Sequence, residues 1–302
     1  MFFFIRHLLN KRTATRALVA LGRDHVDIDD SLEQVRVEFL VDYYGEDERF
    51  ATEAGVSYLV TTDRHKILFD LGFNQARAEV SPLRANLATL GHAGLEVDGV
   101  FISHNHLDHV GGFANQRNRH IALAEAGVVG APPVWTPVAI GSATTVTTPT
   151  QLLPGLASTG SLPAPMYFLG MLHEHALLAS LGDRGLVLIT GCGHPGISTM
   201  VEHARRCTGK EVYAVVGGLH LIATRGRTRP QKYLAANQPP WGLLGKSGVR
   251  REVNELRRLG VVKVVPSAHD SCDESLAIMK EVFGADYIPL RAGGEVVFSA
   301  RA

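Results

Sequence analysis

The chain of 302 residues has little cysteine, no net charge and no internal repeat. Its three cysteines cannot build a disulfide framework and form no Cys-x-x-Cys pair, so a reducing compartment, the cytoplasm, is expected. Thirty basic residues balance thirty acidic ones, which gives no electrostatic reason to expect nucleic acid or an anionic membrane as a partner. The lack of a repeat period of roughly 20–50 residues excludes solenoids and propellers.

The N-terminal segment, MFFFIRHLLNKRTATRALVALGR, is first apolar and then basic, with no acidic residue before Asp24. Its uncharged run ends at Arg6, far short of the roughly 20 residues that span a membrane, so no stable membrane insertion is expected. Acid-poor, arginine-containing segments are also typical of transit peptides and of helices on a membrane surface. We favour a simpler interpretation, in which residues 1–30 form a helical extension packed on the domain or on a second subunit of a homo-oligomer.

Short β-branched runs bounded by Gly, Asp or Ser recur along the chain, as expected of strands buried on one or both faces. These runs are VRVEFLVDYY, VSYLVTT, KILFDLG, GVFISH, GLVLITG, VYAVVGG and VVKVVPS. Helical stretches lie between them, around residues 81–94 and from Ile197, Gly248 and Asp273 onward. Strands followed by helices throughout predict a layered α/β fold, with residues 31–302 as a single domain.

Two segments fit this alternation poorly. Residues 127–172 are rich in Pro, Thr, Gly and Ala and are predicted to form either hairpins or a long covering loop. Residues 224–247 combine basic residues with three prolines and a tryptophan. Loops of this length are usually functional lids or disordered. A basic, aromatic flap over a pocket is one interpretation of residues 224–247, and a surface insertion is the other.

A cluster of metal-seeking side chains follows one strand, in the run FISHNHLDHVGG at residues 101–112. Alternate side chains of an extended segment share a face, so His104, His106 and Asp108 point the same way if the extension continues. His109 needs a turn, which the following glycine pair permits. This arrangement can offer two imidazoles to one cation, and a carboxylate and an imidazole to a second one roughly 3.5–4 Å away. The pattern predicts a dinuclear metal site.

Further ligands are expected where other apolar strands end, because loops gather there. TGCGHPGI carries Cys192 and His194, VVPSAHD carries His269, and VVGGLHL carries His220. A lone histidine is more often structural than ligating. In a chain that already carries the cluster, however, His194 and His269 are predicted to be ligands, and the role of His220 stays open.

These motifs together resemble those of the metallo-β-lactamase superfamily. The central motif of that superfamily matches residues 104–109, and ILFDLG with Asp70 looks like the strand and Asp-x-Gly turn that precede it. The resemblance runs from about Val56 to Ser299. GCGHPGI, VVGGLHL and VVPSAH are similar to a narrower group of metal-dependent hydrolases that includes a pterin-type synthase. The resemblance implies a four-layer αββα sandwich with the metal ions at one edge of the two sheets.

The resemblance divides the ligands between two divalent ions, expected to be Zn²⁺, with Mn²⁺ or iron as alternatives. The implied ligands are, for the first ion, His104 and His106, and, for the second, Asp108, His109 and His269. Zinc lowers the pKa of bound water from about 15.7 to roughly 7, which supplies a nucleophile at neutral pH. Asp108 is expected to orient this nucleophile and take its proton, and His220 to donate to the leaving group or hold an oxyanion.

The chain departs from the superfamily pattern where an aspartate usually bridges the two ions. Cys192 stands at that position, with His194 two residues later. Either a thiolate bridges the ions, or His194 completes the first site while water bridges, and we favour His194 as a ligand. His173 or His175 in MLHEHALL competes with His194 for the same role.

The predicted function is metal-dependent hydrolysis of a small anionic ester, phosphodiester or lactone, with this small molecule as the partner. A pterin-type transferase acting on a diphosphate substrate is the alternative, because it would use the same ions to activate the leaving group. A di-iron oxidoreductase is a further alternative, because this ligand set also accepts iron. The sequence shows no flavin-binding module that would supply its electrons.

Overall fold

The computed structural model describes residues 2–224 and 244–301, and its regular elements follow the apolar runs of the sequence. The helices are α1 Phe2–Leu21, α2 Pro82–Thr89, α3 Phe113–Asn118, α4 Ile197–Thr208, α5 Lys246–Arg258 and α6 Asp273–Phe283. The strands are β1 Gln34–Val41, β2 Ser57–Thr62, β3 Lys66–Phe69, β4 Gly99–Phe101, β5 Val134–Thr136, β6 Thr144–Thr145, β7 Thr150–Leu153, β8 Leu156–Ser158, β9 Leu162–Met166, β10 Gly170–Glu174, β11 Leu177–Ser180, β12 Leu186–Thr190, β13 Val212–Gly217, β14 Lys263–Pro266 and β15 Glu295–Ser299. None of these helices has the length and apolar composition needed to cross a bilayer.

Most of the strands belong to two sheets. The first has seven strands in the order β15-β1-β2-β3-β4-β5-β6, and the second has six in the order β14-β13-β12-β11-β8-β7. Strands β3 to β6 are parallel in the first sheet, and β12 to β14 are parallel in the second. The other neighbours are antiparallel, and β9 and β10 form a separate hairpin.

Apolar side chains fill the space between the sheets and cover their outer faces. Between the sheets, consecutive ring centroids lie 4.4, 5.5 and 5.2 Å apart along the row Phe39, Tyr58, Phe69 and Phe101. Helix α2 packs on the outer face of the first sheet, and α4, α5 and α6 pack on the outer face of the second. The molecule is therefore an αββα sandwich, which confirms the predicted fold class.

The least regular part of the sequence forms short strands. Residues 127–172 contain β5 to β9 and the start of β10, in which β7–β8 and β9–β10 are antiparallel hairpins, so these residues are not a long covering loop. Helix α2 ends at Thr89, short of the predicted 81–94, and the chain turns at Gly91 with a φ of 79°. For the predicted flap at 224–247, residues 225–243 lie outside the described residues.

The topology brings several strand ends to one edge of the sandwich. Parallel strands of one sheet present their carboxyl ends on the same side. Residues that follow β3 and β4 in the first sheet therefore meet residues that follow β12, β13 and β14 in the second. The motif residues at 104–109 come directly after β4, and the predicted ligands His194 and His269 follow β12 and β14.

Candidate metal centre

Three imidazoles from two sheets converge in a first group. Nε2 of His104 lies 3.1 Å from Nδ1 of His106, and Nε2 of His194 lies 3.3 Å from the same Nδ1 atom. Two ligands that bind one zinc ion at about 2.0–2.1 Å with tetrahedral angles are about 3.3 Å apart. The spacing of these three nitrogens therefore fits a shared cation.

A second group combines nitrogen, oxygen and sulfur donors. It consists of Asp108, His109, Cys192 and His269, whose donor atoms all lie within 4.8 Å of one another. The Cys192 Sγ atom is 3.1 Å from Nε2 of His109 and 3.3 Å from Nε2 of His269. Asp108 Oδ2 lies 3.6 Å from the same His109 nitrogen. Carboxylate, imidazole and thiolate are all zinc ligands, so the donor set suits a second cation.

The two groups are neighbours. The ring centroids of His104 in the first group and His109 in the second are 4.1 Å apart. In two-metal enzymes the ions are roughly 3.5–4 Å apart, and each one needs its own set of donors. The structure thus brings together all six predicted ligands, and Cys192 joins them on the side of the second group.

A buried carboxylate orients one histidine of each group. Asp70 Oδ2 accepts hydrogen bonds from the Ser103 hydroxyl at 2.6 Å and from Nδ1 of His109 at 2.7 Å. Because the Ser103 hydroxyl donates to Asp70, it accepts from Nδ1 of His104, 2.9 Å away. In the neutral form, both histidines therefore carry the proton on Nδ1 and present the Nε2 lone pair to the centre. Metal-ligating histidines commonly have such an outer partner.

His269 has an equivalent support from a different part of the chain. The Ser267 hydroxyl donates to Asp42 Oδ1 at 3.0 Å and accepts from Nδ1 of His269 at 2.7 Å. Asp42 follows β1 and also accepts the backbone N–H of Ala268 at 3.1 Å. His269 is thus held in the same tautomer as His104 and His109, with Nε2 facing Cys192.

Glu174, at the end of β10, fixes the loop that carries Cys192 and His194. Its Oε1 atom accepts the backbone N–H groups of Cys192 at 2.9 Å and Gly193 at 2.8 Å and the Thr190 hydroxyl at 2.9 Å. Its Oε2 atom accepts the backbone N–H of His194 at 2.8 Å. Burial raises the pKa of this carboxyl group, and the hydrogen bonds from Gly193, His194 and Cys192 oppose the rise. Sequence reasoning missed Glu174, although it singled out the histidine on each side of it.

Two glycines permit the close approach of the loops. A Cβ atom at Gly191 would lie 2.1 Å from the Ser103 hydroxyl, and one at Gly218 would lie 2.0 Å from the Gly191 carbonyl oxygen. Neither position can hold a larger residue unless neighbouring backbone or the Ser103 side chain moves. The glycines in TGCGH and VVGGLH therefore have a packing reason next to the centre.

Burial keeps the histidines of the first group neutral. It lowers the pKa of His104 and of His194 well below the usual value, and neighbouring imidazoles add to the effect. Burial also lowers the pKa of His106 to about 4, although the Asp108 carboxylate opposes the change. A neutral imidazole keeps the lone pair that a cation needs.

In the second group, neighbouring charges oppose the effect of burial on the pKa of His109 and Asp108 and reinforce it for Cys192. Burial by itself lowers the pKa of His109, but the Asp108 and Asp70 carboxylates outweigh it and raise that pKa well above its usual value. Burial by itself raises the pKa of Asp108, but the neighbouring imidazoles, His109 first, hold it below its usual range. Burial and the nearby carboxylates raise the pKa of the Cys192 thiol. A cation bound at this position would instead lower the pKa of the Cys192 thiol, because a coordinating thiol is deprotonated.

The competing histidines of MLHEHALL lie outside both groups. His175 is buried, with Nε2 donating to the Ile102 carbonyl at 2.9 Å and Nδ1 accepting from Ser158 at 2.9 Å, so both of its nitrogens are used. His173 Nδ1 lies 3.0 Å from the Ser161 hydroxyl. The structure therefore places His194, and neither of these two, beside His104 and His106.

His220 borders the first group without joining it. Its ring centroid is 4.7 Å from that of His194, and its backbone has a φ of 50°. The backbone N–H of His220 donates to Asp270 Oδ2 at 2.9 Å, which fixes the strained turn after β13. His220 is thus positioned beside the candidate ions rather than as a ligand of either group.

Comparison with known proteins identifies the family. Residues 52–205, just over half of the chain, match the model of the metallo-β-lactamase superfamily. The chain belongs to this superfamily. Proteins with this fold usually bind metal ions, and membership supports an enzymatic role. This chain supplies two groups of side chains whose spacing and chemistry fit such ions.

Individual relatives cover nearly the whole chain. The 7,8-dihydropterin-6-methyl-4-(β-D-ribofuranosyl)-aminobenzene-5′-phosphate synthase of Methanocaldococcus jannaschii is 24% identical and covers 85% of this chain and 94% of its own. The crystal structure of Tm1679, a metal-dependent hydrolase of the β-lactamase superfamily, has a TM-score of 0.61 at 20% identity. The match covers 88% of this chain and 99% of the Tm1679 chain. YhfI from Bacillus subtilis has a TM-score of 0.51 at 15% identity, and the match covers 88% of this chain and 100% of the YhfI chain. These two structures support the fold.

Proposed function

We propose that this protein is a metal-dependent hydrolase that uses two divalent cations to activate water against a small anionic ester, phosphodiester or lactone. The observation that carries the proposal is the pair of adjacent donor groups at one edge of the sandwich. A single structural zinc would need only about four ligands in a closed site. Seven donors divided into two neighbouring sets suit a two-ion catalytic centre better.

The proposed ligands of the first ion are His104, His106 and His194. Those of the second ion are Asp108, His109, Cys192 and His269. When bound, Zn²⁺ or a similar ion lowers the pKa of water and polarises a carbonyl or phosphoryl oxygen of the substrate. Asp70, Ser103 and Ser267 hold His104, His109 and His269 in the tautomer that this role requires.

Asp108 is the proposed acceptor of the proton from the attacking water. Its side chain is 21% exposed, while the side chain of His109 beside it is fully buried. The low pKa of Asp108 keeps the carboxylate ionised and able to orient water through a hydrogen bond. His220, with its ring against His194, is the proposed donor to the leaving group or to the developing oxyanion.

Hydrolysis is tested with a panel of chromogenic carboxylic esters, phosphodiesters and lactones, each in a neutral and an anionic form. Chelation should abolish turnover, and added Zn²⁺ should restore it. His106→Ala should lower kcat/KM by about 100-fold or more, because a ligand of the first ion is lost. His120→Ala, which removes an exposed histidine outside both groups, is the matched control and should stay fully active. Full activity of metal-free protein would contradict the proposal.

A transferase of the pterin type is the second candidate, favoured by the similarity to the M. jannaschii synthase over 85% of the chain. The same two ions would activate a diphosphate leaving group instead of water. Product analysis with a pterin diphosphate separates the two functions. Transfer of the pterin to an amine acceptor supports the transferase, whereas release of acid without transfer supports the hydrolase.

A further inference from the structure

The first half of helix α1 carries large apolar side chains on the side that faces away from the protein. It packs along hairpin β9–β10, and the residues that it buries there are His7 and Ala14. Four large apolar residues in its first turns are exposed to solvent instead. The exposed fractions of Phe2, Ile5, Leu8 and Leu9 are 70, 50, 45 and 57%. A surface helix normally buries its apolar face and exposes its polar one. The first half of α1 has the opposite arrangement.

The turn of the hairpin extends this apolar surface. Leu169, between β9 and β10, is 55% exposed, and the neighbouring Phe168 ring lies 5.5 Å from that of Phe3. Arg6 donates to the Phe168 carbonyl at 2.7 Å and so fixes the helix to the turn. We call Phe2, Phe3, Ile5, Leu8, Leu9 and Leu169 the apolar tip. A contiguous exposed apolar surface of this kind marks an interaction site.

The charges beside the apolar tip indicate what it binds. Residues 1–23 contain five basic side chains and no acidic one. Arg12 and Arg16 are exposed and continue, at helical spacing, the side of the helix that carries Ile5 and Leu8. The same segment of a second copy of the chain would offer these charges no acidic partner. Anionic lipid headgroups would neutralise them while the adjacent acyl region accepts the apolar side chains.

We propose that the apolar tip docks on the surface of a membrane that contains anionic lipids. Phe2, Ile5 and Leu9 enter the boundary between headgroups and acyl chains, and Arg12 and Arg16 contact lipid phosphates. Strand β10 leads from Leu169 to Glu174 beside the candidate metal centre, a span of about 17 Å at the rise of an extended strand. Docking therefore holds the centre close to the membrane surface.

Vesicle flotation of the full-length protein tests the proposal, with vesicles of phosphatidylcholine alone or mixed with phosphatidylserine. The protein should float with the mixed vesicles and not with phosphatidylcholine alone, and added salt should weaken binding. The double variants Ile5→Ser/Leu9→Ser and Arg12→Glu/Arg16→Glu should each bind about tenfold more weakly or worse. Val129→Ser changes a residue with 52% exposure elsewhere and should bind like the wild type.

Three results would overturn the proposal. The first is no flotation of the wild type with either kind of vesicle, or flotation of both double variants to the same extent as the wild type. The second is a wild type that binds no vesicles and is a dimer in light scattering, if Ile5→Ser/Leu9→Ser dissociates this dimer. That result would assign the apolar tip to a second copy of the chain. The third is a lower melting temperature of that variant without vesicle binding by either protein, which would mean that another part of this chain covers the tip.

Discussion

The backbone N–H of Cys192 donates a 2.9 Å hydrogen bond to the buried carboxylate of Glu174, and the same carboxylate accepts the N–H of His194. Cys192 belongs to one donor group and His194 to the other. One side chain at the end of β10 therefore sets the position of donors in both groups. This relationship makes Glu174 a positioning residue whose effect reaches the centre through the loop.

Glu174→Gln should weaken metal binding by roughly 10–100-fold, the usual effect of losing an outer partner. The glutamine amide NH₂ cannot accept the N–H that Oε2 accepts now, so one of the four hydrogen bonds becomes a repulsive contact. Competition with a chromophoric chelator measures the affinity. Glu202→Gln, at an exposed position on α4, is the control and should leave the affinity unchanged. Equal affinities of the two variants would remove Glu174 from this role.

Ser267→Ala should lower affinity for the second ion, again by roughly 10–100-fold, because His269 loses the acceptor that orients it. Ser158→Ala is a closely matched control, since Ser158 also bonds to Nδ1 of a buried histidine, His175, outside both groups. Both variants should lose stability, but only Ser267→Ala should lose metal affinity. Titration of each apoprotein with Zn²⁺ in a calorimeter separates the two effects.

Cys192→Ser should release the second ion while the first stays bound. The Sγ atom lies within 3.3 Å of both His109 and His269, and a serine hydroxyl is a much poorer ligand at neutral pH. In cobalt-substituted protein the sulfur-to-metal charge-transfer absorption should disappear in this variant. If both ions are lost together, Cys192 bridges them. An unchanged spectrum would mean that the thiol is not a ligand.

Acidification should release the ions in order, the second before the first. The pKa of His109 is raised and so is that of Cys192, so protons compete for these donors already near neutral pH. The pKa of His106 is lowered to about 4, so protons compete for it only in more acidic solution. Each competing proton costs up to about tenfold in affinity per pH unit. Metal analysis after dialysis from pH 8 to about pH 5 should show one ion lost before the other.

His175 should make the metal-free protein sensitive to acid. Burial lowers its pKa from 6.5 to about 3, so the unfolded chain takes up the proton first as the pH falls. The free energy of unfolding is therefore unaffected by this group above pH 6.5. It falls progressively toward pH 3, by up to about 4 kcal/mol. His175→Gln keeps a donor for Ile102 but does not titrate, so its unfolding free energy should depend less steeply on pH. Urea titrations at several pH values compare the two proteins.

The sequence predicted the parts of the centre that have a local pattern. His104, His106, Asp108 and His109 lie within six residues, and alternation along an extended segment grouped His104 with His106. The extension does not continue, because residues 107–111 form a turn that places Asp108 with His109 in the second group. The sequence favoured His194 but left His173 and His175 as competitors for the same role. Both sets of histidines adjoin apolar strands, and only the hydrogen bonds of His175 reveal that its nitrogens are already used.

Contacts between segments that are distant along the chain have no local sequence pattern from which they could be predicted. Glu174 acts on a loop about 20 residues later, and Asp42 acts on His269 through Ser267 from the far end of the chain. A single carboxylate at a strand end has no spacing that marks it as buried and bonded. The apolar packing between the sheets was easier to predict, because the strands that contribute to it carry apolar runs or an alternation of apolar and polar residues.

The most direct test is the metal content of protein reconstituted with Zn²⁺ and freed of loosely bound metal, measured together with hydrolysis. We expect two ions per chain in the wild type and one in each of His106→Ala and His269→Ala, with activity lost in both variants. A wild-type chain that retains no metal, or that hydrolyses its substrate equally well without metal, would contradict this expectation.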